Sequence, residues 1–276
     1  MTVGIIGLGL MGGSLGKAVK KYAIAEKVYG YVRNDDQKKE VLDLNLVDEV
    51  ASIETLKKEC DLIVLAVPVD TIINFIPQLL DINEKTTIMD MGSTKEFIVK
   101  NVPSSIRKNF VAAHPMVGTE KNGPKAAIDN FYEGHTIVLC DIKDNDKYHV
   151  DKVFGIFQEI GMRIVNMNST EHDMHACFMS HLPHAISYSL ANTVMGHEDP
   201  KSIIALAAGG FKDMSRVAKS SPKMWTDIFK QNKSNLLDSI DLFQNQMQLV
   251  RDLVEDENYE ELEQWMKKAN TLHEIL

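Results

Sequence analysis

Residues 4–19 read GIIGLGLMGGSLGKAV, and the reading of this stretch decides the fold. Gly7, Gly9 and Gly12 form a G-x-G-x-x-G array. It follows the apolar, β-rich run TVGIIGLG and opens a segment of helix-forming residues. In that setting the first glycine permits the tight turn out of the strand and the second lets the backbone approach a pyrophosphate. The third lets the helix pack closely, and the helix N-terminus, with its unpaired N–H groups, favours the anion. A lone array is weak evidence. Here a second strand, KVYGYV, ends about 20 residues on, which supplies the context a dinucleotide site requires. The competing reading is a glycine-rich turn that only lets a helix pack on a sheet.

Working outward, short β-rich runs alternate with helical segments as far as residue 167: TVGIIGLG, KVYGYV, DLIVLAVP, TIMDMG, FVAAHP, HTIVLC and MRIVNM. Such alternation predicts an α/β fold with a parallel sheet covered by helices. The runs are apolar almost throughout, as expected of strands buried on both faces. Beyond MNSTEHD the strand signals stop. Ser169 or Thr170 is placed to cap one long helix reaching about residue 195. A second helix is expected from Ser221, with Pro222 at its first position and an apolar stripe from Trp225 to Val254 interrupted by Asn232. The expected domains are 1–168, a dinucleotide-binding α/β domain, and 169–276, an all-helical domain.

Composition bounds the function. The 276 residues exceed what one small core needs, and the formal net charge of −9 argues against a nucleic-acid partner, whose phosphates call for clustered Lys and Arg. No apolar stretch approaches the roughly 18 residues of a membrane span, so no membrane partner is expected. Cys60, Cys140 and Cys177 are odd in number and far apart, which fits a reducing cytoplasm better than a disulfide framework. A small-molecule substrate is the expected partner.

The second strand should end near Val32, where an NAD-binding chain usually offers a carboxylate to the ribose 2′-hydroxyl. Val32 cannot, and Arg33 follows, able to pair with a 2′-phosphate, so the cofactor reading is NAD or NADP with a tilt to NADP. Asp35 or Asp36 is the alternative ribose contact. Hydride transfer from an alcohol needs a proton acceptor, and only histidine has an unperturbed pKa near neutrality. His114 ends FVAAHP and Ser93 ends the preceding run in DMGSTK, both at the carboxyl edge where open α/β sheets bind ligands. Singly, each is as well read as structural, Ser93 as a helix cap and His114 as the partner of a buried carbonyl.

SHLPHA sets His181 and His184 three apart, and EHDMHA repeats that spacing at His172 and His175. Neither frame matches a zinc motif, so no metal is expected and hydrogen bonding is the preferred role. Arg216 carries the planar fork that anchors carboxylates, or else pairs with Asp213 three residues earlier.

Taken together, GLGLMGGS, DMGSTK, HPMVGTEKNG, SHLPHA and GGFKDMSRVAKSSPKMW resemble the prephenate dehydrogenase family, in order and over nearly the whole chain. The resemblance implies a Rossmann domain followed by a helical domain that forms a homodimer. It implies oxidative decarboxylation of prephenate to 4-hydroxyphenylpyruvate. His114 would take the proton of the ring hydroxyl and Ser93 would help hold that hydroxyl and the nicotinamide. Arg216 would anchor a carboxylate, His184 and His181 would line the far end, and Thr119 and Glu120 would lie in the loop over the pocket. Gly7, Leu8, Gly9, Leu10, Met11, Gly12, Arg33, Val67, Pro68 and Ser93 would contact the dinucleotide. Arogenate dehydrogenase is the nearest alternative. A dinucleotide-sensing regulator without turnover would not need Ser93, His114 and Arg216 together.

Overall fold

The computed structural model describes residues 1–275, with the side chain of Asp35 outside the description. Eight strands form one sheet: β1 Thr2–Ile6, β2 Lys27–Tyr31, β3 Glu49–Val50, β4 Leu62–Leu65, β5 Thr87–Asp90, β6 Phe110–Pro115, β7 Thr136–Cys140 and β8 Arg163–Met167. Their spatial order is β3-β2-β1-β4-β5-β6-β7-β8. The chain leaves β1 in one direction and returns to its other side with β4, so the order reverses between them, and a crevice at the carboxyl ends of β1 and β4 results.

Two details depart from the sequence reading. The two-residue strand β3 carries no apolar run, so periodicity misses it. The sheet is not wholly parallel, because β6 pairs with β7 antiparallel. An apolar run marks burial but not direction.

Both faces of the sheet are covered. Val3, Ile5, Val64, Met89 and Val111 point to one face, with Leu15 and Val19 of α1 (Leu10–Lys21) and Val153 and Phe157 of α7 (Lys147–Ile160). Ile6, Ile63, Leu65, Ile88 and Phe110 point to the other, against Leu56 of α3 (Ile53–Glu59) and Ile72 of α4 (Val69–Phe75). This two-sided burial explains the unbroken apolar runs, each full side chain contributing about 1.5–3 kcal/mol. Trp225 and Ile228 of α12 (Pro222–Gln231) join the second cluster and dock that helix on the sheet layer.

After Met167 every described element is helical. The helix expected from residue 169 is interrupted: α8 (Ser169–Ala176) passes through a π-helical turn, Cys177–His181, into α9 (Leu182–His197). Its cap is neither Ser169 nor Thr170 but Asn168, whose side chain accepts from the Glu171 N–H. That places the cap one residue before the first helical position, where its oxygen reaches a first-turn donor. Ser221 caps α12 as expected, with Pro222 at the first position. The following helix is not one piece, since α12 ends at Gln231 and α13 (Lys233–Glu255) begins beyond Asn232. By compactness the chain forms two units, Met1–Asn232 and Lys233–Leu276, the second built of α13 and α14 (Tyr259–Asn270). No helix among the described residues is long and apolar enough to cross a membrane.

Candidate active site

The strand register brings the functional loops to one edge. Ile6 pairs with Leu65, Leu65 with Asp90, and Asp90 with Ala112. Gly7, Ala66 and the 91–95 loop therefore leave the sheet side by side, and His114 stands near the end of the neighbouring β6, still paired with Val138 of β7.

At the first of these strand ends, Gly7 has φ +97°, and a Cβ there would sit 2.5 Å from the Ala66 carbonyl oxygen. At Gly12 a Cβ would lie 1.9 Å from the Gly7 oxygen. No other residue fits either position. Gly9 differs: a Cβ there meets nothing nearer than Gly123 N at 3.9 Å, so it faces open space. That space lies at the start of α1, which has no acidic residue in its first turn and whose leading N–H groups have no intrahelical acceptor. The cradle fits a pyrophosphate. Leu8 and Leu10 are buried in the core and Met11 packs against it, so these three offer backbone rather than side chain. Val67 packs close to Gly7, and Pro68 precedes α4 at the adjoining strand end. Val32 packs against the core. Arg33 is exposed, with no ion-pair partner among the described residues. Asp36 is exposed on α2 (Asp35–Asp43), and Asp35 falls outside the described side chains.

His114 is half-buried near the end of β6. Its Nδ1 lies 2.8 Å from Nε2 of His172 on α8. His172 Nδ1 lies 2.7 Å from Oδ1 of Asp173. The Asp173 carboxylate also accepts the backbone N–H groups of Lys95 at 2.7 Å and Glu96 at 2.9 Å. A carboxylate only accepts, so Nδ1 of His172 carries the proton and, in the neutral ring, Nε2 accepts from His114. His114 is thereby fixed with its proton on Nδ1 and a lone pair on Nε2. Burial, and then the neighbouring His172, Lys95 and His181, hold its pKa well below the usual histidine range. The group is a base at neutral pH, oriented by a second ring and a carboxylate, in the manner of a nucleophile-activating triad. Ser93 is half-buried in the 91–95 loop, which leaves β5, the strand next to β6.

The remaining expected residues form an adjoining cluster. His181 is 1% exposed in the π turn, where its Nδ1 accepts from Asn232 at 3.0 Å. Burial brings its pKa down to about 4. His184 stacks on Trp225 at 3.5 Å between ring centroids and donates from Nδ1 to the Ser180 carbonyl at 2.9 Å, leaving Nε2 as an acceptor. His181 meets the same indole edge-on at 5.9 Å. Arg216, in the turn after α11 (Gly209–Ser215), pairs with Glu120 at 3.8 Å. Asp213, the alternative partner offered by the sequence, is exposed and makes no ion pair among the described residues. Thr119 is exposed, and its hydroxyl accepts the Lys121 N–H within the loop. No group of three or more His, Cys, Asp or Glu able to hold a metal occurs among the described residues.

Sequence reasoning read His172 only as half of a repeated His spacing and Trp225 only as part of an apolar stripe, and it passed over Asp173. The adjacent His-Asp pair after a capping Asn was a signal, but spacing along the chain does not show that α8 lies against the end of β6.

Comparison with known proteins agrees with this architecture. The family description "Prephenate dehydrogenase, nucleotide-binding domain" matches residues 15–166, and "Prephenate dehydrogenase, dimerization domain" matches residues 168–268. Prephenate dehydrogenase of Bacillus subtilis is 32% identical over 97% of this chain and 74% of its own length. Cyclohexadienyl dehydrogenase of Zymomonas mobilis is 31% identical over 97% of this chain and 93% of its own. The crystal structure of prephenate dehydrogenase from Aquifex aeolicus, in complex with hydroxyphenyl propionate and NAD+, superposes with a TM-score of 0.92 at 33% identity. It covers 99% of this chain and 97% of that one.

Proposed function

The chain belongs to the prephenate dehydrogenase family, and on that footing we propose that it oxidatively decarboxylates prephenate to 4-hydroxyphenylpyruvate. The observation that carries this reading is the chain of contacts from Asp173 through His172 to His114 Nδ1, which leaves His114 Nε2 to serve as the base the reaction requires. The dinucleotide, when bound at the Gly7–Gly12 cradle, supplies the hydride acceptor.

The residues of this chain do the rest. His114 Nε2 takes the proton of the ring hydroxyl while Ser93 holds the same oxygen. The cationic His114 ring then donates from Nδ1 to His172, and Asp173 at the far end stabilises the charge. Such a charge-assisted bond is stronger than the neutral one it replaces. Decarboxylation makes the ring aromatic, so the oxidation runs one way. Arg216 anchors a substrate carboxylate, with His184 and His181 lining that end and Thr119 and Glu120 in the loop above. The Arg216–Glu120 pair is long, with side chains 58% and 32% exposed, so a substrate carboxylate displaces Glu120 at little cost.

Arg33, exposed and without an ion-pair partner among the described residues, lies beside the apolar Val32 and favours a 2′-phosphate, and NADP+ is expected to serve at least as well as NAD+. Residues 1–168 form the dinucleotide-binding domain and residues 169–276 the helical domain. The protein is a homodimer through the latter, in support of which Leu237, Leu242, Met247, Met266 and Ile275 are exposed apolar groups within the second unit. Cys60, Cys140 and Cys177 are buried and far apart in sequence, and a reducing cytoplasm is the proposed setting. Arogenate is the alternative substrate, since the 31% identical Zymomonas relative carries the broader name cyclohexadienyl dehydrogenase.

The test is reduction of NAD+ and NADP+ followed at 340 nm with prephenate and with arogenate. Turnover of prephenate supports the reading, turnover of arogenate alone shifts it to the alternative, and no reduction in any combination refutes it. Light scattering at micromolar concentration tests the dimer, which a monomer would contradict.

A further inference from the structure

We propose that Lys95 is a positioning residue for the proposed reaction, holding both ends of the Asp173–His172–His114 relay at once. Lys95 and Asp90 are both fully buried and form an ion pair. The pairing of β5 with β6 stops at Asp90 opposite Ala112, so the Ala113 peptide groups that point toward β5 have no strand to bond. Two side chains replace it. Asp90 Oδ1 accepts the Ala113 N–H at 3.2 Å, and Lys95 Nζ donates to the Ala113 carbonyl at 2.8 Å. That carbonyl belongs to the peptide bond that carries His114. The backbone of Lys95 meanwhile donates to Asp173 Oδ1 at 2.7 Å, and Glu96 N donates to Oδ2 at 2.9 Å. One residue therefore fixes His114 through its side chain and the far carboxylate through its main chain.

A purely structural role does not account for the pair. Well-packed apolar residues of the same volume hold a core as well as a buried ion pair, or better. What they cannot do is donate to the Ala113 carbonyl and place a positive charge beside His114. The groups that face His114 are His172 from α8, His181 from the π turn and Lys95 from the 91–95 loop, with Asp173 and Asp90 one bond further back.

The test uses the full chain and two variants, Lys95→Met and the double variant Asp90→Asn/Lys95→Met, the second leaving no unpaired buried charge. Two readouts bear on the proposal beside thermal stability: ring-nitrogen NMR titration of His114 without ligands, and steady-state kinetics. The expected result is a fall in kcat of about 10²-fold, a KM for the dinucleotide within about twofold of wild type, and a His114 titration moved upward. A lower melting point with unchanged kcat and unchanged His114 titration overturns the proposal. In the wild type, the amides of Lys95, Glu96 and Ala113 should exchange with solvent among the slowest, and fast exchange at any of them also overturns it, whether or not the variants fold. The inference rests on the proposed function, but the titration and the exchange rates judge the clamp even if prephenate is not turned over.

Discussion

Replacing His172 by phenylalanine isolates the relay. The two rings meet edge to face at 5.0 Å between centroids, and a phenyl ring keeps that contact while removing the acceptor 2.8 Å from His114 Nδ1. In the resting enzyme the lost bond is neutral and worth about 0.5–1.5 kcal/mol, but once His114 carries the extra proton it is charge-assisted and worth about 1.5–3 kcal/mol. Only the difference, roughly 1–1.5 kcal/mol, slows the chemical step. That is about tenfold, and freeing the His114 ring to rotate and change tautomer adds to it. The expected fall in kcat is therefore about 10- to 100-fold, with the KM for the dinucleotide unchanged. His172→Gln, whose side-chain oxygen reaches the same position, should recover most of the loss. The assay is initial velocity at 340 nm under saturating substrate. A phenylalanine variant within about threefold of wild type would remove His172 from the reaction and leave His114 acting alone.

Three further outcomes are expected. His114→Asn should lower turnover by ~10² to 10⁴ while dinucleotide binding, read by calorimetry, stays intact, because the lost group is a base and touches no phosphate. Arg216→Ala should raise the KM for substrate by about tenfold with kcat nearly unchanged, since a carboxylate anchor acts in ground and transition states alike; an earlier melt with the KM unmoved would reduce Arg216 to a partner of Glu120. The native state should weaken in acid. His181 is held at about 4 by burial, so between pH 6.5 and that value the unfolded chain binds a proton the native state refuses, and stability present above pH 6.5 is lost as pH falls. This amounts to roughly 3 kcal/mol, and urea unfolding of wild type and His181→Gln across that range should diverge by about as much. Parallel curves would show that His181 is not buried neutral. His114, His149 and His184, all lowered by burial, act in the same sense.

The glycine loop was legible in the sequence because its constraints are local: a positive φ at Gly7 and a helix pressed against a carbonyl at Gly12 exclude any Cβ. Ser93 and His114 were legible because apolar runs mark where strands end, and open sheets bind ligands at those ends. Pairings between distant segments were not. β7 runs antiparallel to β6, and nothing in an apolar run encodes that direction. His172 and Asp173 read as half of a repeated His spacing until α8 is seen to lie against the end of β6, 58 residues of chain away from His114. Arg216 looked equally able to serve Asp213, its neighbour in sequence, or a carboxylate across the cleft; only the turn after α11 turns it toward Glu120. The π turn was hidden for another reason, since residues 169–195 are nearly all helix-compatible and carry no local signal for a wide turn.

That π turn also sets the azimuth of everything after it. An α-helix advances about 100° per residue, so the wider turn at Cys177–His181 rotates the face of α9 relative to that of α8. His172 looks toward the sheet edge, while His184, one register later, looks toward Trp225 and Arg216. Winding the same residues as a regular α-helix would remove the wide turn. It would swing His184 away from the indole by about one residue's advance, ~100°, and every residue to His197 with it. The spacing of the two histidine pairs along the chain is thus also an angular setting. The same sequence without that wide turn would keep His172 against His114 and lose the stacking of His184 on Trp225.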